Sequence, residues 1–551
     1  MLESTAEQRT QYILKKWARG GKEKFGFILC LIAVAALWLR AWGMWFGLPL
    51  LLHPDEPIYV NAAMRFGSDK TLNPHWFGNP GNILMYLLFI EFIVYFFIGR
   101  LLGWFESAEA FANHFFADPT AIYLLGRSLG VVAGTLSVVI LGLLGRRLIN
   151  ERVGLAAALL LAVNPMMIEH AKYIRVDVLG TLFVILAVFW GLKFWDEQRR
   201  KDAVFCSIAV GLAAATKYPF ATVGVVLLVL TFFLKTAPAR NVSDQLTPWK
   251  FLIGNCLIAL FAFFCVTPFF FFDFQKAWQD IVHEARGTHL AHQSLPLWPN
   301  YWWYISRALP ETLGVPLLMG AAFGGLITLR HFVKRKMLIW VFPALLFAVI
   351  GAARLRWSHW LIPVLPFLCL YAAIAVDYLG NLFFSARAES TPRRNAMIGS
   401  LVYIALVASF IFYPLTNGVA VSRRFSLPDT RQLCTEWIKT NIPEGKFAQD
   451  FYTFQPYPRY AYWRGEFQFQ KYTIVQDFSI AHRPLEEYRA QGMTHLIVSS
   501  WQYNRYFAEA EQYPREVQFY RALMAQPPLK EFDFSNGVVT GPRIKIYALN
   551  E

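Results

Sequence analysis

The sequence is short of charge: Asp, Glu, Lys and Arg make up 16% of its 551 residues, against about 25% in an average soluble chain. That shortage excludes an ordinary multidomain soluble protein, because 56% of the residues are hydrophobic and need shelter from water. Acidic residues are the scarcer sign, 37 against 52 Lys and Arg, for a net charge of +15. In a soluble chain such an excess would point to nucleic acid. Here the basic residues cluster in short gaps between apolar runs and do not interleave with aromatics along a polar surface, which is a membrane pattern. A disulfide framework is excluded too. Cys30, Cys206, Cys256, Cys265 and Cys369 lie in apolar runs and only Cys434 lies outside them, so Cys434 has no evident partner. There is no Walker loop, no dinucleotide fingerprint, no Ser/His/Asp order and no convincing internal repeat.

What is present is a succession of apolar runs. A basic head (Arg9, Lys15, Lys16, Arg19, Lys22, Lys24) precedes the run 25–48, long enough for a hydrocarbon core of roughly 30 Å, so the head stays cytoplasmic. Trp38, Arg40, Trp42 and Trp45 stand where a signal peptide would carry its small-residue cleavage site, and the run reads as a retained anchor. Arg40 inside it either snorkels outward or pairs with an acid. Later runs end at basic clusters, at 146–152, 193–201, 235–250, 330–336 and 387–394. Placing every cluster inside fixes the parity. It makes 203–234 two short crossings turning near Lys217-Tyr218-Pro219, and it leaves 82–103, with Glu91 in its middle, lying along the outer surface or re-entering.

The expected fold is an α-helical polytopic membrane protein with a C-terminal extracytoplasmic α/β domain. Its crossings fall at 25–48, 121–145, 154–168, 178–195, 203–216, 219–234, 251–267, 313–329, 337–352, 361–379 and 396–414, about eleven in all. The domains are a cytoplasmic N-terminus (1–24), a transmembrane unit (25–415) with outer loops 53–120 and 269–312, and a soluble tail (416–551). In the tail, 429–440, 484–490 and 515–524 read as helices, and 446–451, 494–499 and 543–549 as strands.

Chemistry concentrates at the outer ends of the runs. His53-Pro54-Asp55-Glu56-Pro57 puts two carboxylates where the first helix leaves the membrane. A partly desolvated carboxylate there suits a general base for a hydroxyl or amine nucleophile; the alternative is a helix start with Asp55 as N-cap. The segment Glu169-His170-Ala171-Lys172-Tyr173-Ile174-Arg175-Val176-Asp177 carries both signs of charge on the same face. Asp177 is placed to approach Asp55, with Lys172 and Arg175 holding an anion; interfacial snorkelling with Asp177 as salt-bridge partner or cap is the alternative. Lys217, Arg354, Arg356 and His359 fall at outer boundaries, against the positive-inside rule, where a lipid phosphate or ordinary headgroups would account for them. His283, His289 and His292, with Glu284, match no strong zinc spacing.

Together these pieces resemble the polyprenyl-phosphate-sugar-dependent glycosyltransferases of the C-type fold, the group holding protein O-mannosyltransferases and the lipid A aminoarabinose transferase, and above all its phospholipid-carrier-dependent members. The resemblance is carried by HPDEPIYVNAAMRFGSDKTLNPHWFGNPGNILMYLL, LLGRSLGVVAGTLSVVILGLLGRRL, AAALLLAVNPMMIEHAKYIRVDVLGTLFVILA, GLAAATKYPFA, VTPFFFFDFQKAWQDIVHEARGTH and RWSHWLIPVLPFLCLYAA, with a looser echo in DTRQLCTEWIKTNIPEGK. It implies Asp55 as catalytic base with Glu56 beside it, Asp177 as the acidic residue after the third crossing, and Lys217 as the lysine of the alanine-rich turn. Lys172, Arg175, Lys217, Arg354, Arg356 and His359 are then the candidates for the donor phosphate, and His53, Tyr59, His289 and His292 for acceptor or sugar. One departure is Gly78-Asn79-Pro80-Gly81, where the aminoarabinose transferases carry Lys-Pro-Pro, so the phosphate contacts come from elsewhere.

The implied reaction transfers a sugar, hexosyl or pentosyl, from a polyprenyl monophosphate to an envelope glycan, lipid or protein acceptor, with inversion, at the outer side of the inner membrane. No cofactor is required, a divalent metal stays open, and nucleic acid is not a partner. The rivals are a lipid-linked oligosaccharide ligase or oligosaccharyltransferase, a lipid-glycan flippase, and a membrane-anchored carbohydrate-binding or assembly protein.

Overall fold

The computed structural model describes residues 23–78, 81–236, 247–285, 297–331, 334–385, 392–451, 453–454, 466–469, 471–534 and 537–549. The apolar runs form a helical bundle. α1 (Glu23–Ala41) is followed by α2 (Glu56–Ser68), α3 (Asn82–Leu101), α4 (Ala108–Ala117), α5 (Thr120–Leu148), α6 (Glu151–Ala162), α7 (Pro165–His170), α8 (Val176–Glu197) and α9 (Arg200–Thr216). A 3-10 turn (Tyr218–Gly224) leads to α10 (Val225–Thr236), α11 (Pro248–Val266), α12 (Pro268–Phe272), α13 (Phe274–Glu284), α14 (Leu297–Trp303), α15 (Leu309–Leu313), α16 (Val315–Arg330), α17 (Met337–Ala352), α18 (Leu365–Ser385) and α19 (Pro392–Phe425).

Among the described residues, eight helices are long and apolar enough to cross a membrane, and nine if 298–313 and 315–330 count as one span bent by 114°. The bend falls at Gly314, whose φ of +73° glycine adopts without strain. The chain is a polytopic integral membrane protein. The sequence suggests about eleven crossings, and the difference has a local cause. The interval 154–168 is α6 and α7 broken at Val163-Asn164; 203–216 is the 17-residue α9; and 219–234 is the 3-10 turn plus the 12-residue α10. These helices stand where expected but are shorter than the roughly 20 residues of a straight crossing.

The segment 82–103 forms α3, 20 residues long with a mean hydropathy of 2.0, which length and composition alone would allow to cross. Its start packs against the end of α9 and the start of α5. The Gly81 N–H donates to the Thr216 carbonyl at the end of α9 (3.3 Å), and Leu88 packs on Gly126 in the second turn of α5. α4 then folds back on the last turns of α3, with Phe111 against Tyr95, Phe96 and Phe105.

The two faces differ in charge. Arg147 pairs with Asp196 (2.9 Å) and Glu197 (2.6 Å), Arg335 with Asp196 (3.6 Å), and Arg146 lies 4.4 Å over the Phe25 ring, so the basic clusters meet the start of α1 at one end. α5 and α8 both run toward that end from the face carrying Arg127 and Asp177. Small residues let the helices touch backbone to backbone: a Cβ on Gly154 of α6 would strike the Gly142 carbonyl of α5. Arg40 neither snorkels nor pairs with an acid. Its guanidinium donates to the carbonyls of Ala36 (3.1 Å), Leu161 (3.2 Å) and Ala162 (2.9 Å), capping α6 where that helix breaks.

α19 continues through Pro414 to Phe425, past the domain boundary expected at 415/416. The Thr416 hydroxyl and Asn417 amide donate to the Phe412 and Tyr413 carbonyls (both 2.9 Å), one turn back in the same helix. The tail holds α20 (Thr430–Asn441), β1 (Gly445–Asp450), β2 (Glu466–Phe469), β3 (Tyr472–Asp477), α21 (Leu485–Ala490), β4 (His495–Ser499), α22 (Ser500–Ala508), α23 (Pro514–Met524), β5 (Lys530–Phe532) and β6 (Ile544–Ala548). One sheet runs β2-β3-β1-β4-β6-β5, parallel across β3, β1 and β4 and antiparallel elsewhere. Cys434 is buried in α20 as a free thiol.

Asp450 closes the tail core at the end of β1. Its carboxylate accepts from the Ile480 and Ser499 N–H groups (2.9 and 3.0 Å) and the Tyr520 hydroxyl (2.9 Å). Burial pushes its carboxyl up to about 7. A folded-state value above the unfolded one means that this group stabilises the tail fully below the unfolded value of about 4, a contribution lost as pH rises through about 7. The tail should therefore be less stable at pH 8 than at pH 5 by roughly 2–4 kcal/mol from this group. Thermal melts of wild type and Asp450→Asn at both pH values check it; a difference that survives in the variant would assign the effect elsewhere.

Candidate active site

The residues of the site arrive from four separate segments. Asp55 is the last residue before α2, with no side-chain capping bond, so its carboxylate is not spent on the helix start. Arg175 precedes α8 and Asp177 lies in its first turn. Lys217 ends α9, and His359 sits in a 3-10 turn (Ser358–Leu361) between α17 and α18.

These side chains form a row of alternating charge. The Lys217 ammonium donates to Asp177 Oδ1 (2.7 Å), Arg175 Nε lies 3.6 Å from Asp177 Oδ2 and 3.7 Å from Asp55 Oδ2, and Arg175 Nη2 is 3.3 Å from His359 Nε2. The two carboxylates differ in access, with the Asp55 side chain 41% exposed and that of Asp177 1%. Asp55 is the one a nucleophile can reach. Burial would lower the Arg175 guanidinium, but Asp177 and Asp55 hold it above its ordinary range, so it stays charged.

His53 Nδ1 accepts the Asp55 N–H (3.2 Å), and its ring lies 4.1 Å from that of Tyr173. Burial pushes its imidazole down to about 3, so it is neutral at physiological pH with the proton on Nε2. Burial and then Arg175 depress His359 as well. His170 faces His359 and Tyr173 at 5.5 and 5.8 Å. Tyr59 is buried in α2 against Trp76, within electrostatic reach of Arg175, Asp55 and Asp177. The loop from α2 to α3 closes over this side: the Phe77 N–H donates to Asp280 of α13 (2.9 Å), and its carbonyl accepts from the Tyr218 hydroxyl (2.9 Å). Gly78 fits because a Cβ there would run into Glu284.

Several expectations need correction. Glu56 is not a second catalytic acid beside Asp55. It is fully buried and held by a two-point pair with Arg127 (2.9 and 2.7 Å) and by the Ile174 N–H (3.1 Å), which leaves no face for substrate. Lys172 is not a phosphate ligand: its ammonium is buried and donates to the Leu39, Arg40 and Trp42 carbonyls (2.6, 3.0 and 2.8 Å) at the end of α1. Arg356 lies over the Trp303 ring at 5.2 Å, and Arg354 is exposed; neither joins the charged row. His289 and His292 fall outside the described residues. Among the described residues, no three His, Cys, Asp or Glu side chains are grouped to hold a metal. The sequence pointed to neither Arg127 nor Arg431, and it named His170 and Tyr173 only as members of the charged segment 169–177. A lone arginine in the first turns of an apolar helix was the signal for Arg127.

A cavity of about 960 Å³ opens between the bundle and the tail. Glu169, Tyr173, Arg423 and Phe425 line it from the bundle, and Arg431, Trp501 and Tyr503 from the tail. Tyr173 and His53 separate it from Asp55.

Residues 121–269 match the family described as dolichyl-phosphate-mannose-protein mannosyltransferase. No curated protein matches the chain. In structure the chain is similar to ArnT from Cupriavidus metallidurans in the apo state, with a TM-score of 0.53 at 14% identity over 96% of this chain and 98% of that one. The chain has the C-type glycosyltransferase fold. A second C-type protein, the archaeal oligosaccharyltransferase AglB from Archaeoglobus fulgidus in complex with an inhibitory peptide and a dolichol-phosphate, is similar at a TM-score of 0.52 and 12% identity over 89% of this chain and 71% of that one. The length aligned with ArnT, 96% of this C-type chain, takes in both bundle and tail.

Proposed function

We propose that the protein is an inverting glycosyltransferase that moves a sugar from a polyprenyl monophosphate to an acceptor, with Asp55 as general base. One observation carries this reading: in the row Lys217, Asp177, Arg175, Asp55, only the terminal carboxylate is accessible, and two cations stand behind it. The acceptor hydroxyl or amine attacks the anomeric carbon from the face opposite the phosphate and its proton passes to Asp55. The bond from the anomeric carbon to the phosphate oxygen breaks, and its electron pair leaves with the polyprenyl phosphate. A phosphate leaving group needs charge stabilisation more than a general acid, which suits Lys217 and Arg175. Placing the basic face inside, by the positive-inside rule, puts the head in the cytoplasm and the site and tail outside.

The test is release of polyprenyl phosphate by the purified protein from a panel of polyprenyl-phosphate sugars with envelope acceptors. Release that needs both donor and acceptor supports the reading. Oligosaccharide transfer is the second reading, on the likeness to AglB; loss of turnover on chelation and use of a diphosphate donor would favour it.

Lys217→Ala should raise the donor KM, lowering kcat/KM for donor by roughly 10–100-fold, the size of one charge-assisted contact. It also takes the nearer of two cations from the buried Asp177, leaving Arg175 at 3.6 Å, so the Lys217→Ala, Asp177→Asn pair is the control: its fold should recover while donor use does not. Unchanged donor kinetics in the folded pair would remove Lys217 from the site.

A further inference from the structure

Between α1 and α2 the chain makes only turns; the Gly43, Trp45 and Gly47 carbonyls accept local N–H groups, while others take side-chain donors from outside the segment. Those donors come from distant elements. Lys172 takes the carbonyls at the end of α1, and Arg127 Nη1 takes those of Met44 (2.7 Å) and Phe46 (2.9 Å). The last carbonyl held before Asp55 is that of Leu52, and its donor is Arg431 Nη1 of the tail at 2.8 Å.

Arg431 is itself fixed. Its Nε and Nη2 donate to the two Asp429 oxygens (both 2.8 Å), its guanidinium lies 4.7 Å over the Trp501 ring, and it is buried. Asp429 is in turn the N-cap of α20, inside a capping box with Gln432. The position it holds is a strained one. Leu51 has a φ of +51°, a left-handed conformation that leucine rarely adopts, and it is buried. Such a conformation persists only where its surroundings over-determine it, and the carbonyl that Arg431 holds belongs to the next residue, Leu52.

We infer that Arg431 is a positioning residue for Asp55, so that the tail sets the register of the general base against Arg175 without touching the reacting atoms. The link runs from α20 through Arg431 to the Leu52 carbonyl, then through His53, whose Nδ1 accepts the Asp55 N–H. Without Arg431, Leu51 can relax to an ordinary φ and carry His53 and Asp55 with it. This rests on Asp55 being the base.

The experiment compares full-length wild type, Arg431→Ala and Arg431→Lys in steady-state release of polyprenyl phosphate and in amide exchange. Arg431→Ala should lower kcat by at least tenfold with donor KM within twofold. Amide exchange over 51–58 should rise at least tenfold while β1 and β4 keep their protection, and Arg431→Lys, which retains a donor, should recover most of kcat. Unchanged exchange over 51–58, or raised exchange with unchanged kcat, overturns the inference. So does a rise in KM alone. If Arg431→Ala unfolds the tail, the Asp429→Asn, Arg431→Met pair removes the donor without stranding a carboxylate and carries the same readouts. Wild type that releases nothing defeats the transferase reading and leaves the exchange result to decide the link.

Discussion

Asp55→Asn should slow polyprenyl phosphate release by about 10²–10⁴-fold, the usual contribution of a general base, while expression, melting temperature and donor affinity stay near wild type. The substitution keeps the shape, and the Asp55 side chain makes no capping bond that folding would miss. Its ionic partner among the described residues, Arg175 at 3.7 Å, retains Asp177 at 3.6 Å. Turnover with each donor and acceptor pair, alongside amide exchange to show that the fold is intact, separates loss of the base from loss of structure. Equal release by both proteins would end the case for Asp55.

Arg127→Ala should act on stability, by about 3–5 kcal/mol, because it leaves the buried Glu56 carboxylate without its partner. The same change frees the Met44 and Phe46 carbonyls. Replacing both partners, Glu56→Gln with Arg127→Met, should recover most of that loss, since removal of a whole buried pair is often close to neutral. Folded protein with turnover within about tenfold of wild type is the expected result for the double variant, scored by melting and transfer. A double variant that is stable yet inactive would return Glu56 to the chemistry.

The bundle was legible because hydropathy and basic clusters are additive along the chain, and the site was legible in part for a related reason. Asp55, Arg175, Asp177, Lys217 and His359 break the pattern of their surroundings, and the structure brings these five together. Sequence shows a charge but not its partner. Lys172 and Glu56 were indistinguishable from site residues until their burial was seen, and Arg127 was hidden inside an apolar run. In the tail, β1, β4 and β6 stand within a residue or so of the strands expected at 446–451, 494–499 and 543–549. β2, β3 and β5 were not readable, because their side chains alternate with polar ones over only three to six residues and are ordered by the neighbouring strand.

α19 links membrane and tail with one unbroken rod. Its 34 residues span about 51 Å at 1.5 Å per residue, roughly 20 Å more than the hydrocarbon core is thick. A rigid helix couples height to heading: each residue added or lost moves the tail by about 1.5 Å and swings it by about 100°. Four residues restore the original bearing only to within roughly 40°, and seven to within about 20°. Arg431 reaches the Leu52 carbonyl at a single height and a single bearing, so the length of α19 is a gauge that admits few neighbouring values.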